Sequence, residues 1–271
     1  MLLTRGYKSR PPDLPHRVKL TDKTITSGDE PLEFLLAHPD LEAVVDPDRV
    51  RAAGWAQSRL EFDYFILDDG FQHLRMPRDL DIVLLSAFDL GPGWNRVLPG
   101  GEWREDKTAL KRAHVFAVNT AGSDPAKIRA LAQNRLQGLP GETIFFHPAP
   151  KGLRRIKNNE PVPELTEDYL LIAGISEPER FVFAAADFLG FSPRKTLFFS
   201  DHHQYTEKDW QKIKKRAAET GCRHILCTSK DAVKLLPLAD DTLVCLDMGI
   251  DISDEDKSRL KRIFEKSLKN S

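Results

Sequence analysis

Apolar residues fall in short blocks broken by polar and Gly/Pro-rich stretches. Blocks at residues 1–4, 41–45, 64–67, 81–85, 114–118, 169–173, 195–199, 224–228 and 242–246 have strand length and strand composition. Between them, 31–37, 50–57, 178–188, 207–219 and 254–268 read as helices. Strands alternating with helices predict an α/β fold with a parallel, helix-covered sheet. Pro, Gly, Lys and Asn dominate 148–163, and this shift suggests a boundary. The expected division is a first domain over 1–150, a linker over 151–165 and a smaller α/β domain over 166–271. The Gly/Pro-rich stretch 88–105 reads as one long loop, of the kind that is usually either functional or disordered.

The most informative block is Tyr64-Phe65-Ile66-Leu67-Asp68-Asp69-Gly70-Phe71-Gln72-His73. It reads as a buried strand ending in two carboxylates and a turn glycine. Ligands of parallel α/β sheets sit beyond the carboxyl ends of strands. Asp68 and Asp69 therefore form either a Mg²⁺-holding pair or an acidic solvated turn. Other strand ends carry further candidates. Arg5, in Thr4-Arg5-Gly6-Tyr7, suits either a phosphate or a surface ion pair. Asp48, before Arg49, suits either a proton acceptor or a helix cap. Leu98 to Glu105 is a glycine-containing loop bearing Arg104 and Glu105. Ser200-Asp201-His202-His203-Gln204-Tyr205 offers metal ligands, a proton relay or a polar turn.

Composition narrows the class. Lys and Arg total 40 against 41 Asp and Glu, so no net field draws nucleic acid. The three cysteines, Cys222, Cys227 and Cys245, match no zinc spacing and are expected buried and reduced. That fits a cytoplasmic compartment. No apolar run approaches the roughly 18 residues of a membrane helix. The lysine-rich helices near 212–216 and 257–269 read as solvated faces.

The order of these motifs resembles the tetraacyldisaccharide 4'-kinases, the lipid A 4'-kinases of Gram-negative bacteria. The residues carrying the resemblance are Arg5-Gly6-Tyr7, Asp29-Glu30-Pro31, Asp48-Arg49, Asp68 to His73, Arg78-Asp79-Leu80 and Leu98 to Glu105. Gly174 to Phe181, Asp201 to Tyr205 and Thr228 to Lys234 continue it. The resemblance implies a P-loop-kinase-like sheet with a second, smaller α/β domain. It implies ATP and Mg²⁺ as cofactors and a lipid A precursor, tetraacyldisaccharide 1-phosphate, as acceptor. It also implies a peripheral position on the inner face of the cytoplasmic membrane. On this resemblance Asp68 and Asp69 are metal and nucleotide acids, Gln72 lies in the nucleotide site, and Asp48 is the base with His202 as its relay. Arg5, Tyr7, Arg104 and Glu105 line the lipid head-group site.

The family pattern opens with a strand, a Gly-Gly-Thr-Gly-Lys-Thr loop and a helix before the Arg-Gly-Tyr strand. This chain opens on that strand. The expectation is a truncated kinase, missing its first strand and its phosphate loop and inactive alone. The competing expectations are a catalytically dead module binding lipid or sugar head groups, and a metal-dependent hydrolase built on Asp68, Asp69, His202 and His203.

Overall fold

The computed structural model describes residues 1–268. In the first 70 residues, β1 (Leu2–Thr4), β2 (His16–Arg17), α1 (Thr24–Ser27), α2 (Asp29–Ala37), β3 (Ala43–Val45), α3 (Arg49–Gln57) and β4 (Ile66–Leu67) follow in order. Next come β5 (Ile82–Leu85), α4 (Ala87–Leu90), β6 (Val115–Asn119), α5 (Pro125–Leu136) and β7 (Glu142–Arg155). The chain continues with β8 (Pro161–Val162), β9 (Tyr169–Ala173), α6 (Pro178–Leu189), β10 (Lys195–Phe198) and α7 (Glu207–Glu219). It ends with β11 (His224–Cys227), α8 (Ser229–Leu235), β12 (Leu243–Ile252) and α9 (Asp254–Leu268). These elements form two compact units, one of Met1–Gly70 with Pro150–Met248 and one of Phe71–Ala149 with Gly249–Ser271.

In the first unit, a small sheet runs β2-β3-β1-β4. Strands β3, β1 and β4 are parallel, and β2 is antiparallel to β3. Strands β10, β9, β11 and β12 form a second parallel array. The pleat divides β9 between two cores. Leu170 and Ile172 join Trp210, Ile213 and Ala217 of α7, while Tyr169, Leu171 and Ala173 join Phe181 and Ala185 of α6. The first of these cores also takes in Leu2, Ala43 and Val45 of the small sheet and Leu32, Leu35 and Leu36 of α2. Helix α2 thus ties the small sheet to β9 through buried leucines. Cys227 and Cys245 sit opposite each other on β11 and β12, and all three cysteines are free and buried, as expected.

The second unit follows the same rule. Its parallel strands run β5-β6-β7. Phe116 and Val118 pack against Ile128, Ala132 and Leu136 of α5, while Val115 and Ala117 face Leu260 and Ile263 of α9.

Three expectations change. The compact units do not follow the division 1–150, 151–165, 166–271, because each gathers segments distant in sequence. The expected linker is packed structure: β7 extends to Arg155, β8 pairs with it, and Leu153, Arg154, Ile156 and Leu165 are buried. The block at 64–67 shrinks to Ile66–Leu67 and is not buried, with Ile66 58% exposed. It is the end strand of its sheet, paired among the described residues only with β1, so its apolar residues read as core without becoming core.

At the turn after β1, Gly6 adopts a left-handed φ of 70°. A Cβ there would stand 2.3 Å from Val45 Cγ1 and 2.4 Å from Ser9 Oγ. Gly6→Ala is expected to cost about 2–4 kcal/mol, from backbone strain and overpacking. Urea unfolding of the two proteins checks this; equal midpoints would show that the turn relaxes freely.

Candidate active site

The parallel ends of β3, β1 and β4 deliver their following residues to one edge of the small sheet. Thr4 Oγ1 donates to Asp68 Oδ2 at 3.0 Å and also lies 3.4 Å from the Gly6 amide. Arg49, 4% exposed, donates to the carbonyls of Pro47 and Asp68 at 3.1 and 3.3 Å. It pins the acidic turn from beneath. Burial lowers the Arg49 pKa, and the nearby Asp68 carboxylate opposes that shift. The guanidinium stays charged because its ordinary value is so high. Asp69 follows with a left-handed φ of 49°, a strained geometry that often marks functional turns.

Asp48 is the N-cap of α3. Its Oδ1 accepts from the amides of Val50 and Arg51, each at 3.1 Å. The neighbouring Asp46, fully buried, accepts from the Asp48 amide and from Nε and Nη2 of Arg51. The imidazole expected as the relay of Asp48, that of His202, has Nδ1 3.1 Å from Asp29 Oδ2. Asp29 opens α2 after Gly28, and its side chain is 11% exposed, against 40% for His202. A carboxylate only accepts, so Nδ1 carries a proton, while Nε2 lies on the other side of the ring, 3.9 Å from Asp201 Oδ2. His202 itself has a left-handed φ of 58° and donates its amide to the Gly174 carbonyl at 3.2 Å.

The two clusters are neighbours within the first unit. The turn from Thr4 runs through Gly6 to Tyr7, whose carbonyl lies 3.8 Å from where a Gly28 Cβ would stand. Gly28 directly precedes Asp29. Thr24 of α1 donates to Gln204, beside His202, at 2.7 Å. Arg5 and Tyr7 stand exposed on this turn, and Tyr7 is 70% exposed.

Below lies a network that the sequence did not reveal. Asp231, fully buried in α8, accepts from the Gly174 amide at 3.0 Å, Thr228 Oγ1 at 2.8 Å and the Tyr205 hydroxyl at 3.1 Å. Burial, reinforced by the Asp231 charge, pushes the Tyr205 hydroxyl far above the usual phenol range, so it remains a donor. Its sequence signal is Thr228 to Lys234, one of the segments that carry the family resemblance.

Gln72, Arg104 and Glu105 belong to the second unit. Glu105 forms an ion pair with Arg112 at 2.6 Å, and Arg112 lies over the Phe71 ring. Gln72 and Arg104 are exposed. The expected loop over 88–105 is folded rather than open. Trp94 and Trp103 stack edge to face at 5.3 Å, Trp103 donates to Asp89 at 2.9 Å, and both pack on the core, leaving Phe88 exposed.

Chemically, the first unit combines a carboxylate pair, an oriented imidazole and an exposed cation. Asp68 and Asp69 offer hard oxygen donors of the kind Mg²⁺ takes from a protein while keeping waters and phosphate oxygens. Among the described residues no group of three or more His, Cys, Asp or Glu is placed to bind a metal, so the hydrolase expectation gains no ligand set. Among them, too, no helix is long and apolar enough to cross a membrane.

The comparisons with known proteins agree with one another. The family model described as tetraacyldisaccharide-1-P 4'-kinase (LpxK) matches residues 1–269. The tetraacyldisaccharide 4'-kinase of Oleidesulfovibrio alaskensis is 39% identical over 237 residues, covering 87% of this chain and 65% of that protein. That of Nitratidesulfovibrio vulgaris is 38% identical over 238 residues, covering 86% and 65%. The chain thus spans just under two thirds of the length of these relatives. The crystal structure of LpxK from Aquifex aeolicus in complex with ATP superposes with a TM-score of 0.72 at 23% identity, covering 98% of this chain and 78% of that one. The α/β fold is the same.

One further acid lies on α2, a turn beyond Asp29. Burial pushes Glu33 up to about 7, with Lys230 opposing and Glu30 and Asp29 adding to the shift. A carboxyl raised in the folded state binds its proton more tightly there than in the unfolded chain. Stability is therefore expected to fall as pH rises from the ordinary value of 4.5 through about 7. The loss is at most about 3 kcal/mol. Glu33→Gln is expected to flatten that slope and to raise the unfolding midpoint at about pH 8. Denaturation across this window is the check; an unchanged slope in the variant would contradict it.

Proposed function

The chain belongs to the tetraacyldisaccharide-1-P 4'-kinase family, and we propose that its 271 residues supply the acceptor and proton-transfer side of that kinase. The acceptor is a tetraacyldisaccharide 1-phosphate, and the donor is the γ-phosphate of ATP. The observation carrying this reading is the Asp29–His202 contact at 3.1 Å, set beside the Thr4–Asp68 edge. Proton transfer to a positioned imidazole needs an oriented ring with an open nitrogen. Asp29 fixes Nδ1–H, and Nε2 takes the proton of the 4'-hydroxyl as its oxygen bonds to phosphorus. The bond from the γ-phosphorus to the bridging oxygen breaks, and ADP leaves. Asp68 and Asp69 would hold Mg²⁺, which would supply neutralisation of charge on the phosphate oxygens. Asp48 keeps its capping role rather than that of base.

Arg5 and Tyr7 stand exposed beside these groups and suit the 1-phosphate and sugar of the head group. Arg104 has the same chemistry in the second unit, and exposed Gln72 fits the nucleotide side. Because the acceptor is a lipid, the chain works as a peripheral protein at the inner face of the cytoplasmic membrane. No Gly-x-x-x-x-Gly-Lys-Ser/Thr loop occurs within these 271 residues. The purified chain alone therefore binds its acceptor without turning over ATP, as a head-group binding module would.

Two assays on the purified chain test this. Tetraacyldisaccharide 1-phosphate in mixed micelles is expected to bind, and Arg5→Ala to weaken binding about tenfold through loss of a charge-assisted contact. Labelled ATP is expected to yield no 4'-phosphorylated product. No binding would remove the acceptor reading; steady phosphorylation would show that other residues replace the missing phosphate loop.

A further inference from the structure

Lys234 has no place in the chemistry so far, yet it is among the most deeply buried charges of the first unit. Its side chain is 2% exposed. Its Nζ lies 3.4 Å from Asp231 Oδ1 and 3.8 Å from Asp29 Oδ2, and 5.9 Å from the centre of the Tyr205 ring. The Asp29 oxygen it approaches is the one that meets His202 Nδ1. Two cationic or N–H groups thus converge on one carboxylate oxygen, one from α8 and one from the loop after β10.

We propose that Lys234 is a positioning residue that clamps the Asp29 carboxylate against His202 and thereby fixes which imidazole nitrogen holds the proton. This rests on the reading of Asp29 and His202 as the proton-transfer pair. Asp231 is the fixed end of the clamp. Three donors from three places hold it: the Gly174 amide after β9, Thr228 at the start of α8, and Tyr205 before α7. With Asp231 immobile, the ammonium between the two acids has little freedom, and Asp29 inherits that rigidity.

Chemistry as well as geometry favours the assignment. A buried ion pair is seldom the most stable way to fill a core, since apolar groups of similar volume often serve as well or better. Its retention at this place fits a role in orientation. Without the ammonium, the Asp29 carboxylate loses its second tie and is free to turn away from His202, so Nδ1–H loses its fixed acceptor. Lys230, on the same helix, faces Glu33 and supplies part of the local balance.

The test uses the 271-residue chain and the ring-nitrogen signals of His202 in ¹⁵N NMR at mildly alkaline pH, where they report the tautomer directly. Lys234→Met keeps the apolar stem and removes the charge; Lys234→Arg keeps the charge. The Nδ1–H share is expected to fall at least about twofold in the Met variant and to be largely retained in the Arg variant. Should the Met variant not fold, Asp231→Asn loosens the fixed end of the clamp and is expected to shift the share in the same direction. A folded Lys234→Met or Asp231→Asn protein with unchanged His202 signals overturns the clamp. Micelle binding separates the two claims. Loss of acceptor binding by the unmodified chain removes the kinase reading but leaves the clamp. Intact binding with an unmoved tautomer removes the clamp alone.

Discussion

A fully buried carboxylate, Asp231, holds the site of the first unit together. It cannot exist there unpaired, because an uncompensated buried charge is far costlier than the contacts around it. Its partners are therefore obligatory. They fix the end of β9 through Gly174, the start of α8 through Thr228 and the segment before α7 through Tyr205. The Asp201–Tyr205 loop is tied at both sides, by the Gly174 carbonyl to His202 and by Asp231 to Tyr205. The strained backbone of His202 persists because this frame over-determines it.

The small sheet solves a different problem. Its strands are only two or three residues long, so its stability comes from α2, whose leucines bind it to the core of β9 and α7. Asp29 stands at the first turn of that same helix. The element that completes the core thus also delivers the acid that orients the imidazole. Arg49 performs the equivalent task for the Asp68–Asp69 turn, reaching from α3 to carbonyls on two strand ends. Function here rides on a few buried polar contacts, each tied to a packing element.

Much of the architecture was legible. The run Tyr169 to Ala173 reads as a strand and is one; α7 and α9 show helical spacing and match their expected limits. Failures followed from tertiary context. Residues 151–165 carry linker composition, but strand pairing with β8 and burial of Leu153 and Ile156 override it. The apolar block before Asp68 could not announce that it would be an edge. Asp29 and Asp48 look alike in sequence, each placed before a helix. Only a contact spanning 173 residues separates the acid that meets His202 from the acid that caps α3.

The central claim is that Asp29, not Asp48, governs the imidazole of His202. The most direct measurement is the ¹⁵N ring signature of His202 in the parent chain, Asp29→Ala and Asp48→Ala, taken where the ring is neutral. The account predicts an Nδ1–H tautomer in the parent, a switch toward Nε2–H in Asp29→Ala, and no change in Asp48→Ala. An Nε2–H tautomer in the parent, or a switch caused by Asp48→Ala alone, would contradict it.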